Sequence, residues 1–224
     1  MRRQLIAAAA LVCLVAGTAE AQTRQVKLNR AYGWTGSGVV GYGGVAIGPY
    51  GASSPGMPNF DVFCVDFSNS VSVGNVWTAR FTSLADAAGI DDNTRFGQLS
   101  LSPVLDQYKR AAWLAMQFAS NGTGSWKGIH QAIWKQFGTS PSSSPYWNND
   151  VTGWYAWRDA AAAADLSSIN WNYWHVVTDV NTVNGVGGKQ EYLTYVTPEP
   201  ETLLLLATGL AAVIGYAVVS RRFV

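Results

Sequence analysis

The chain has 224 residues, is 48% hydrophobic and 13% charged, and carries a formal net charge of +1. Between Gln22 and Thr197 eleven Lys and Arg balance eleven Asp and Glu, so the cationic footprint of a nucleic-acid binder is missing and no nucleic-acid partner is expected. The length allows one or two domains with a sizeable core, and a single domain is the simpler expectation.

Arg2 and Arg3 precede the apolar run Leu5 to Ala16, and Ala19-Glu20-Ala21 supplies the small residues of a cleavage site. Residues 1–21 therefore read as a secretory leader, with the exported chain beginning at Gln22. Cys13 leaves with it, and Cys64 has no other cysteine to pair with.

From Arg24 to about Leu84 the pattern is strand-like: "QVKLNRAYGW", a glycine-rich stretch, "FDVFCVDFSN" and "VWTARFTSL", with Gly74-Asn75 as a hairpin turn between the last two. After Asp86 the pattern turns helical. Ser102 followed by Pro103 predicts the start of "VLDQYKRAAWLAMQFA"; Ser125 and Gly138 bracket "SWKGIHQAIWKQFG"; Asp150 is the expected cap of a third helix running through the alanines at 160–164. The sequence then returns to strands, "NWNYWHVVTDV" and "KQEYLTYVT", around the turn "NGVGG". The expected fold class is α+β: N-terminal β-strands, a central helical insertion, a C-terminal β-hairpin, and one C-terminal transmembrane helix.

That last element rests on Leu203–Val219, 17 uncharged residues that as a helix reach roughly 25 Å, close to the roughly 30 Å hydrocarbon core. Pro198-Glu199-Pro200, the hydrophobic stretch, and then Arg221 and Arg222 resemble the PEP-CTERM sorting signal of bacterial exported proteins. The resemblance covers 198–224 and implies an exosortase-type sorting enzyme as partner. It implies export through the inner membrane, with membrane anchoring by the tail before sorting to the surface or matrix. Residues 22–197 are then the exported domain.

Little in that domain suggests turnover chemistry. Gly36 to Gly41 fits G-x-G-x-x-G on paper, but no helix follows to cradle a phosphate. His130 and His175 are the only histidines, too few for a histidine-based metal site, and no G-x-S-x-G nucleophile elbow occurs. No metal, no cofactor and no enzymatic activity are expected.

Cys64 is different. Alternation along a strand puts Phe63, Val65 and Phe67 on one face and Val62, Cys64, Asp66 and Ser68 on the other, placing the thiol on the more polar side beside a carboxylate. A lone exported thiol is expected to be buried or chemically occupied. The pair "FCVD" and "HQAIW" resembles the two signatures of the thioester domains of bacterial surface adhesins, an aromatic-Cys-aliphatic-acid strand and a T-Q-x-A-I-W segment whose Gln joins the Cys. The helical stretch "AAWLAMQF" at 111–118 also fits that family, and His130 stands where threonine is usual. The resemblance implies a cross-link between Cys64 and Gln131. On chemical grounds Asp66 is the candidate to relay the thiol proton, with His130 a weaker candidate, and Trp134 is the expected water screen.

On a helical wheel, Trp126, Ile129, Ile133 and Phe137 form the apolar face, and Gln131 lies nearly opposite, between Lys127 and Lys135. Gln131 is thus either a solvated surface residue or covered by the Cys64 face of the sheet. The expected function is a non-catalytic surface module whose thioester captures a nucleophile on a partner. The alternative is a non-covalent structural or glycan-binding matrix protein, suggested by ten tryptophans and ten tyrosines.

Overall fold

The computed structural model describes residues 22–31, 41–101, 103–141, 145–197 and 208–209. Eight strands lie in this part: β1 (Gln22–Arg30), β2 (Gly41–Tyr42), β3 (Val45–Ala46), β4 (Tyr50–Ser53), β5 (Phe60–Cys64), β6 (Val76–Ser83), β7 (Trp174–Asp179) and β8 (Tyr192–Tyr195). Five α-helices are described: α1 (Ala87–Asn93), α2 (Arg95–Gln98), α3 (Val104–Ser120), α4 (Trp126–Gln136) and α5 (Trp154–Ala163).

The expected α+β arrangement is overturned. Six strands close into an antiparallel barrel in the order β1-β4-β5-β8-β7-β6, while β2 and β3 form a separate two-stranded sheet. The C-terminal strands do pair with each other, but β7 also pairs with β6 and β8 with β5. They close the barrel instead of standing apart as a hairpin. Gly74 and Asn75 do not join β5 to β6 as a hairpin; they bond to Leu28 of β1 (Gly74 N to Leu28 O, 2.7 Å). Local periodicity identifies strands, but closure is decided by which edges remain to be paired.

The expected transmembrane helix is likewise no part of the described fold. Among the described residues no helix is long and apolar enough to cross a membrane. Residues 1–21, Pro198, Glu199, Pro200, Arg221 and Arg222, and all of 203–219 except 208–209 lie outside the described residues.

Strand alternation feeds two cores. Val62, Cys64, Val177 and Tyr192 face the barrel interior, together with Val26, Ala52 and Ala79. Phe63, Val65, Val176 and Leu193 point outward and pack under the helices, with Phe63 stacked on Phe118 of α3 at 5.7 Å. Several inward side chains are small, as a narrow barrel requires. Both faces of β5 are therefore buried, and the face carrying Cys64 is the barrel interior, not the polar side expected from alternation.

Capping differs in detail from expectation. Ser125 makes no side-chain cap bond to α4, and Pro103 is the cap residue of α3, one position earlier than its expected place inside the helix. Asp150 reaches α5 from upstream of the left-handed Gly153, accepting from Tyr155 N at 3.0 Å. Gly138, at φ 68°, follows α4 where a chain reversal needs the left-handed region.

Candidate functional site around Cys64

Cys64 ends β5 with its side chain fully buried in the barrel. Its thiol donates to the Asp66 carbonyl at 3.4 Å, and Trp134 Nε1 donates to the sulfur at 3.3 Å. Burial pushes the thiol well above its usual range; the Trp134 bond pulls against this, and the nearby Asp66 charge adds to it. The Trp134 ring, itself buried, lies against the sulfur.

The pairing of β5 with β8 brings a residue that sequence reasoning missed. Cys64 is opposite Tyr192, and Val65 N bonds Glu191 O at 3.1 Å, which carries the pairing on toward Gln190. Gln190 Nε2 donates to the Asp66 carbonyl at 2.8 Å, the same carbonyl that accepts from the Cys64 thiol, and Gln190 Oε1 accepts from the Tyr192 hydroxyl at 2.8 Å. The only signal in the sequence was that Gln190 and Tyr192 are two apart on a strand and so share a face.

Gln131 is placed elsewhere. It is fully buried, which overturns the solvated-surface alternative. Its Nε2 donates to the Trp147 carbonyl at 2.9 Å and its Oε1 accepts from the Thr152 hydroxyl. The cover comes from the segment leading into α5, not from the Cys64 face. Gly128 makes this approach possible, since a Cβ there would lie 2.6 Å from the Thr152 carbonyl. Lys127 and Lys135 turn outward onto aromatic rings, Tyr42 at 4.8 Å and Trp154 at 5.6 Å. The hydrogen bonds of Cys64 and those of Gln131 share no partner; the two groups are linked through Trp134 and Trp147, whose rings are 5.5 Å apart.

It is His130 that α4 presents to Cys64. Its Nδ1 accepts from Gly48 N at 2.9 Å, so the ring proton sits on Nε2 and is donated to the Cys64 carbonyl at 3.1 Å. Burial pushes this imidazole down to about 3, against the opposing pull of the Cys64 carbonyl, so it is neutral and has no free lone pair to act as a base. His130 and Trp134 are one turn apart and face the barrel together, while Gln131 is about 100° around the helix. Counted back from Ala132-Ile133-Trp134, the glutamine of T-Q-x-A-I-W falls on His130 and not on Gln131, which corrects the placing of His130 at the threonine position.

Asp66 does not offer its carboxylate to the thiol. The carboxylate lies 3.0 Å from Arg95 Nε and accepts from Ser68 N (2.9 Å) and Asn69 Nδ2 (2.7 Å). Arg95 is nearly buried and spends its other donors on the carbonyls of Gly185 (2.9 Å), Gly187 (2.6 Å) and Lys189 (2.9 Å). Glu191, immediately before β8, accepts from Arg95 N (2.7 Å), Thr178 (2.5 Å) and Tyr108. Burial raises its carboxyl above the usual range. This network pins the 180–189 turn and thereby fixes where β8 begins.

No family model, curated protein or solved structure matches the chain. The functional reading therefore rests on the residues themselves. Among the described residues no group of three or more His, Cys, Asp or Glu is arranged to hold a metal.

Proposed function

We propose that this chain is an exported, non-catalytic attachment module in which Cys64 and a glutamine form an internal thioester that captures a nucleophile on a surface or matrix partner. Its C-terminal tail serves as the handle for an exosortase-type sorting enzyme. The observation that carries this reading is a thiol, fully buried under Trp134, that shares the Asp66 carbonyl with a glutamine amide whose own oxygen is held by a hydroxyl. Burial would keep water from the bond, and capture would require the α4 cap to lift from the barrel end. Each molecule reacts once, so this is not turnover.

The test uses the exported chain, beginning at Gln22 so that Cys64 is its one cysteine, denatured and titrated for thiols before and after methylamine. The reading expects no free thiol before methylamine and one after. One titratable thiol from the outset would sink it. Mass alone does not decide, because an N-terminal Gln22 can cyclise and expel ammonia too; the loss must also disappear in Cys64→Ala.

A second, non-covalent reading is favoured by a groove of about 450 Å³ between the barrel and α3, lined by Phe60, Phe63, Met116, Trp126, Trp174 and Tyr195. Aromatic faces of this kind suit sugar stacking. Under this reading Tyr195→Ala weakens retention on a matrix polysaccharide and Cys64→Ser does not. Retention lost in Cys64→Ser and kept in Tyr195→Ala would reverse the preference.

A further inference from the structure

We infer that, if the thioester reading holds, the acyl donor to Cys64 is Gln190 and not Gln131. Four placements support this. Cys64 and Tyr192 are cross-strand partners, so Gln190 is the diagonal neighbour of Cys64 on the interior face, within reach of a long side chain. Gln190 Nε2 and the Cys64 thiol both donate to the Asp66 carbonyl, at 2.8 Å and 3.4 Å, which sets the amide beside the sulfur. The Tyr192 hydroxyl donates to Gln190 Oε1 at 2.8 Å, where negative charge develops when a nucleophile attacks the amide carbon. The Gln131 amide, by contrast, is held by Thr152 and Trp147 on the α5 side of α4.

The step balances without an oxidant or reductant. The Sγ–Cδ bond forms, the Cδ–Nε2 bond breaks, and the thiol proton leaves with the nitrogen as ammonia. Because the buried thiol holds its proton, sulfur and proton reach the amide together. Trp134 donates to the sulfur and Asp66 supplies only its backbone carbonyl, which fixes the thiol and Gln190 Nε2 at one point. Tyr192 acts as a positioning and polarising residue.

This inference rests on the thioester reading, and the experiment separates the two. The exported protein, beginning at Gln22, is treated with methylamine, digested with chymotrypsin and mapped. Cleavage after Trp126 and Trp134 isolates Gln131 as the only glutamine in its peptide, and cleavage after Trp174 and Tyr192 isolates Gln190 as the only glutamine in another, away from the peptide's N-terminus, where cyclisation would expel the label. The expected result is an N-methyl amide on Gln190, ammonia loss retained in Gln131→Glu and abolished in Gln190→Glu, and bond formation slowed about 10²-fold in Tyr192→Phe. An N-methyl amide on Gln131 overturns the assignment and leaves the thioester standing. No incorporation together with a free thiol overturns both. If Gln190→Glu does not fold, mapping the wild-type protein still decides.

Discussion

His130→Gln isolates one proton in the stability of this fold. The imidazole ordinarily titrates near 6.5 and is pushed down to about 3 when buried between Gly48 N and the Cys64 carbonyl. The folded state therefore binds this proton more weakly than the unfolded chain, so stability is complete above pH 6.5 and is lost as pH falls. The slope is about 1.4 kcal/mol per pH unit between those values, a loss of about 2 kcal/mol by pH 5 and about 4 kcal/mol by pH 3. Glutamine can reproduce both bonds, with Oε1 accepting from Gly48 N and Nε2 donating to the Cys64 carbonyl, and it cannot titrate. Urea denaturation of both proteins at pH 7, 6, 5 and 4 should show a wild-type curve steeper by one proton below pH 6.5. Taking the difference removes the remaining titrating groups, His175 included. Parallel pH profiles for the two proteins would refute the buried neutral imidazole.

Arg95→Met removes the ion pair with buried Asp66 and the three carbonyl bonds to the 185–189 turn; a loss of about 3–5 kcal/mol is expected. Hydrogen exchange should show the amides of 182–189 losing protection first. Gly48→Ala meets two obstacles, a φ of 98° and a Trp126 ring atom 2.4 Å from the new Cβ, whereas Gly44 at φ 79° has nothing within 4 Å. The first substitution should therefore cost more than the roughly 1–2 kcal/mol of backbone strain expected for the second, measured by thermal or urea unfolding. Gln131→Leu leaves the Thr152 hydroxyl and the Trp147 carbonyl without their buried partner. A loss of about 1–3 kcal/mol in urea unfolding is expected, with no change in the thiol count.

Much of the element pattern was legible because it is local. Alternating apolar residues marked β1, β5, β6 and the β7–β8 pair, and the apolar face of Trp126, Ile129, Ile133 and Phe137 marked α4. Two expectations failed for non-local reasons. β5 looked half-exposed because Asp66 and Ser68 follow Cys64, yet Arg95, about thirty residues away in sequence, neutralises Asp66 and lets it be fully buried. For Gln131 neither alternative, a solvated surface or cover by the Cys64 face, holds: Lys127 and Lys135 lie over aromatic rings while Thr152 and Trp147 close over the amide.

The sequence alone was enough to single out Cys64 as an unpaired thiol on a strand, and to put His130, Gln131 and Trp134 on one helix, because both follow from residue identity and spacing. Which glutamine meets the thiol was decided by tertiary structure. Gln190 stands at Cys64 because barrel closure pairs β8 with β5 in a register where Tyr192 opposes Cys64. Gln131 is turned away because His130, one residue earlier on the same helix, already occupies the face that meets the barrel. Strand pairing and helix rotation are properties of the packed whole, and a single chain's periodicity does not contain them.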